Sequence, residues 1–95
     1  MKYMVNTIWE HENQIDWKVM NENMDMGAKD WPKDVEVMWF KIDENTHGSV
    51  SIYPNEESYL QWQERLSELR KEASSEMKVK MVFEQKGPIL AESKS

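Results

Sequence analysis

Five residues of this chain have the types that build a small-molecule pocket: Asn6, Trp9, Trp39, Tyr59 and Trp62. Aromatic walls with one amide suit a small hydrophobic or aromatic molecule, because ring faces supply contact area and a polar group sets orientation. Acid–base chemistry is poorly provided for. His11 lies between Glu10 and Glu12, where adjacent side chains seldom converge on one ion. His47 falls at the tip of a turn and is expected to face solvent. No nucleophile–base pair stands out, so no metal site and no cofactor is expected. The chain has no cysteine, which excludes thiol catalysis, disulfide frameworks and thiolate metal sites.

The elements that must carry these side chains follow from periodicity. Met1–Trp9 alternates as a strand, with Tyr3, Val5, Thr7 and Trp9 on one side and Met4, Asn6 and Ile8 on the other. A helix is expected over 13–26, capped by Asn13 and stopped at Gly27. Its apolar stripe is blunt: Ile15, Val19 and Met26 form one line, Trp17, Met20 and Met24 another. Val35–Ile42 is a strand apolar on both faces, Val35, Val37 and Trp39 against Met38, Phe40 and Ile42. Such a strand must be covered twice. A turn over 43–48, with Gly48 supplying positive φ, leads to a strand Ser49–Tyr53 with Val50 and Ile52 inward. Asn55 caps a second helix, whose stripe of Tyr59, Trp62, Leu66, Leu69 and Ala73 is the clearest in the chain; its end is expected near 73–75. Met77, Val79, Met81 and Phe83 alternate with Lys78, Lys80 and Glu84 as a fourth strand, and Val82 is the break. Gly87–Pro88 ends it.

The order β-α-β-β-α-β is that of an α+β ferredoxin-like plait: a four-stranded antiparallel sheet with both helices on one face. Residues 1–86 make one domain and 87–95 a C-terminal tail. At 95 residues, such a chain buries roughly 60–65% of its unfolded surface. The greasy second strand therefore argues for a homodimer, two sheets packed face to face. The net charge of −6 argues against nucleic-acid and anionic-membrane partners. The segment 49–51 also lacks the aromatics that an RNA-recognition strand needs. No run reaches a membrane span and no leader is visible, so a cytoplasmic location is expected.

Length, element order, the opening Met1-Lys2-Tyr3-Met4-Val5 and the helix start Pro54-Asn55-Glu56-Glu57 followed by Tyr59 and Trp62 resemble the dimeric α/β-barrel superfamily, nearest to small bacterial members. The resemblance spans nearly the whole chain. It implies dimerisation as an α/β-barrel and a helix–sheet pocket, and it includes haem-degrading and quinone-forming monooxygenases beside members with no assigned activity. For the haem-degrading branch, Asn6 and Trp62 match in position. Where its iron-ligating His should fall, this chain has Arg70, Lys71 and Glu72, which argues against haem. The expected function is binding of a small hydrophobic or aromatic ligand, with cofactor-free monooxygenase-like chemistry as its sharper form. A non-catalytic dimeric regulatory or interaction module is the alternative. Whether the chain is an enzyme is left open.

Overall fold

A computed structural model describes residues 1–93, apart from the side chains of Ala73, Glu76 and Met77. The elements run β1 (Tyr3–His11), α1 (Trp17–Gly27), a 3-10 turn (Ala28–Asp30), β2 (Glu36–Asp43), β3 (Thr46–Tyr53), α2 (Glu56–Met77) and β4 (Val79–Pro88). One antiparallel sheet has the order β2-β3-β1-β4. Among the described residues, no helix is long and apolar enough to cross a membrane.

Register assigns the faces. Tyr3, Val5, Thr7 and Trp9 pair with Tyr53, Ser51, Ser49 and His47, and all eight are buried beneath the helices. This reverses the expected orientation of β3. Its serines and Tyr53 face inward, while Val50 and Ile52 lie with Met4 and Ile8 on the other face. The inversion follows from pairing: β1 commits its aromatic side to the helices, and antiparallel partners opposite one another share a side. β3 also begins earlier than expected, at Thr46, so His47 is a buried strand residue rather than an exposed turn tip. Gly48 has no positive φ. Its value is the missing side chain: the Phe40 ring lies where a Cβ would be.

Val82 marks a bulge. Ile8 pairs with Phe83 and Trp9 with Met81, so one extra residue on β4 reverses the alternation. Val79 and Met81 share the helix side with Trp9, and Phe83 turns to the open face. Met77 ends α2 instead of opening β4, and Lys78 follows at φ 54°, a left-handed helix cap.

α1 starts later than expected. Asp16, not Asn13, caps it, accepting from the N–H groups of Lys18 and Val19. The blunt stripe resolves by burial: Trp17, Met20 and Met24 turn inward, while Val19 and Met26 face solvent. Asn55 caps α2 by accepting from the Ser58 N–H at 2.8 Å, as expected. Tyr59 and Leu66 of the stripe are buried, with Trp62 and Leu69 half-buried; the side chain of Ala73 lies outside the described residues. Tyr3, Val5, Tyr53, Tyr59 and Leu66 form the core, with Tyr59 ring centroids 5.5 Å from Tyr3 and 5.2 Å from Tyr53. This aromatic plug fills one end of the helix–sheet layer. At the C-terminal end, Ile89 N–H donates to the Lys2 carbonyl at 2.8 Å, and Lys2 pairs with Glu92.

Candidate functional site

The other end of the layer is hollow. α2 lies against the sheet, whereas α1 stands off it. The gap holds a cavity of about 250 Å³ between the two helices and the strands. Its floor is made of small hydroxyl residues, Thr7, Ser49 and Ser51, and its walls include Trp9, Trp31 and Trp39. The cavity follows from these choices: serines in the middle of a sheet leave space that leucines would fill, and large indoles hold the surrounding elements apart.

Two of the walls, Trp9 and Trp31, are fixed by a specific contact. Trp9 Nε1–H donates to Thr7 Oγ1 at 2.8 Å, which locks the indole and satisfies its donor. Trp31 packs on Trp62, with centroids 5.7 Å apart. Trp39 projects from β2 opposite Ser49.

At the strand end of the cavity His47 is enclosed by indoles. Trp9 stacks on it at 6.4 Å, Trp39 tilts against it at 5.7 Å and Trp17 presents an edge at 6.4 Å. Its Nδ1 lies 2.7 Å from Nε2 of His11, so one ring donates and the other accepts. His11 is positioned by backbone bonds: its N–H donates to the Asn45 carbonyl at 2.7 Å, and the next residue, Glu12, donates to Lys78 O at 3.1 Å. Ile15 N–H donates to the Glu44 carbonyl at 2.8 Å, closing the same corner. Burial pushes His47 down to about 4, with the neighbouring His11 adding to the effect; burial also lowers His11. Both rings are neutral at pH 7, and the pair presents a hydrogen-bonding edge to an otherwise aromatic chamber.

Those values decide what the pair can do. A phenol titrates near 10, well above a histidine whose basicity burial has lowered, so proton transfer to His47 is disfavoured. The pair is suited to holding a phenol or carbonyl oxygen by a hydrogen bond, not to ionising it. Among the described residues no cluster of three or more His, Cys, Asp or Glu could hold a metal ion.

Of the five residues singled out in the sequence, Trp9 and Trp39 line the cavity. Tyr59 belongs to the neighbouring core, and Trp62 packs against that core and Trp31; the Trp62 Nε1 is buried without a hydrogen-bond partner. Asn6 is on the opposite sheet face. Its amide donates to the Ser49 carbonyl and accepts from Gln85, both at 3.1 Å, so it ties β1 to β3 and β4. The strand alternation that put Trp9 inward already implied this separation. The histidine pair and the hydroxyl floor were missed. The available signal was the set Thr7, Ser49 and Ser51: small hydroxyl residues facing a helix layer mark a floor.

Neither a protein-family model nor a curated protein matches the chain. A solved structure that it resembles is the solution structure of SecDF periplasmic domain P4, at 12% identity, covering 93% of this chain and 89% of that one with a TM-score of 0.47.

Proposed function

We propose that this protein binds a small aromatic or hydrophobic molecule in the helix–sheet cavity, as a homodimer joined through its open sheet faces. The observation that carries the reading is the chamber itself: three indoles around a hydroxyl floor, with a neutral histidine pair at one end. A flat ligand carrying one oxygen, such as a phenol or quinone, matches it, with rings against Trp9 and Trp39 and the oxygen toward His47 or the serines. The lowered basicity of His47 favours holding the ligand by a hydrogen bond over abstracting its proton.

The dimer reading rests on the other face. Met38, Phe40 and Phe83 are 48%, 45% and 43% exposed, and register sets them beside Met4, Ile8, Val50 and Ile52. An apolar surface spanning all four strands is what two copies would bury isologously. The same face also serves the alternative of an interaction module, with a different protein as its occupant.

Tryptophan fluorescence titration with a panel of phenols, quinones and haem tests the ligand reading. Saturable quenching by a phenol or quinone, weakened about tenfold or more in Trp39→Ala, is expected. A flat response across the panel from folded protein contradicts it. Oxygen uptake with the same phenols separates the two forms of the reading, and none above background is expected.

A further inference from the structure

A second hollow, about 580 Å³, runs between α2 and β4, and it shares two residues with the tryptophan chamber: Trp9 and Arg70. Arg70 thus stands where an aromatic compartment meets a polar one. Its Nη1 donates to Glu84 Oε2 at 2.8 Å, with the two side chains only 23% and 27% exposed. Lys71 lines the groove beside it, and Lys86 donates to the Tyr59 hydroxyl at its border, 3.2 Å away. Among the described groove residues Glu84 is the one carboxylate. Arg70 and Lys71 against Glu84 leave the groove one cation in excess in a chain of net charge −6, with Asp30 the carboxylate that lines the chamber.

We infer that the ligand of this site is an aromatic carboxylic acid, its ring in the tryptophan chamber and its carboxylate on Arg70. The inference deepens the binding reading above and rests on it. The Arg70–Glu84 pair shows the geometry an incoming carboxylate would adopt: a guanidinium edge already directed at a carboxylate oxygen, in a partly desolvated place where such bonds are strong. Glu84 holds that place in the free protein and yields it on binding, turning to Lys71 or to solvent. The ring stays in the chamber against Trp9 while the carboxylate reaches Arg70 at the junction, because those two residues line both hollows.

The test compares indole-3-acetate with its neutral isostere indole-3-acetamide, by isothermal titration on the full chain at low salt. Wild type is expected to bind the acid severalfold more tightly, less than the roughly tenfold worth of one charge-assisted contact because Glu84 must first be displaced from Arg70. Arg70→Gln is expected to erase that preference while amide binding persists. Glu84→Gln, which removes the competing carboxylate, is expected to strengthen acid binding severalfold, a gain that damage to the fold would not produce. Equal affinity for acid and amide in wild type, or a preference that survives in Arg70→Gln, overturns the inference and leaves the aromatic site standing. Binding of neither compound overturns both.

Discussion

His47 has exchanged water for three indoles and one imidazole, and that exchange sets a pH dependence. Its folded value of about 4 lies below the ordinary 6.5. Above pH 6.5 the ring is neutral in both folded and unfolded chains and costs nothing. Between 6.5 and 4 the unfolded chain takes up a proton that the folded chain refuses, so stability falls as pH falls. His11, also lowered by burial, acts in the same direction. Thermal melts should lose on the order of 10 °C or more across that window, and His47→Gln should make the slope shallower. Gly48 gives a second prediction. Gly48→Ala drives a methyl into the Phe40 ring and should cost about 1–2 kcal/mol in urea unfolding; in a Phe40→Ala background the same change should cost almost nothing. At this scale the sequence was only partly readable. Trp9 and Trp39 announced a wall, but the burial of His47 depended on β3 starting at Thr46, and the space left by Gly48 depended on which ring lay across from it. Both are matters of pairing, which no single residue carries.

Elements were more legible than their ends. α2 declared itself through Asn55, its acidic first turn and its stripe, and the cap bond is present at 2.8 Å. Asn55→Ala should lower stability by about 1 kcal/mol. The far end of α2 offers the opposite sign: Lys78 caps it at φ 54°, where a side chain is strained, so Lys78→Gly should raise the melting temperature by a few degrees. α1 was placed too early because Asn13 and Asp16 are both good caps by type. The bond from Ile15 N–H to the Glu44 carbonyl holds the chain outside the helix for one more turn. Val82, an unexplained break in an alternating strand, turned out to be the bulge that lets β4 serve both faces. That bulge puts Met81 beneath α2 and Phe83 on the open side.

At the scale of the molecule, the βαββαβ order was readable because each element left a period, and the sheet order β2-β3-β1-β4 follows from right-handed crossovers. The two-sided apolar β2 pointed to a face needing cover, and Met38, Phe40 and Phe83 now define it. Light scattering at micromolar concentration should give a dimer of this 11.4 kDa chain, and Phe40→Glu with Phe83→Glu should give a monomer; a monomeric wild type removes the dimer from the proposal. The cavity was less legible, because emptiness is a property of the packed whole: α1 must stand off the sheet, and serines must lie where bulkier residues would close the gap. The most direct measurement is therefore on the cavity walls themselves. With ¹⁵N-labelled protein titrated with indole, the side-chain N–H peaks of Trp9, Trp31 and Trp39 should move along one saturable curve. Peaks for those three that stay fixed at saturating indole, in protein that remains folded, would contradict a ligand site between helices and sheet.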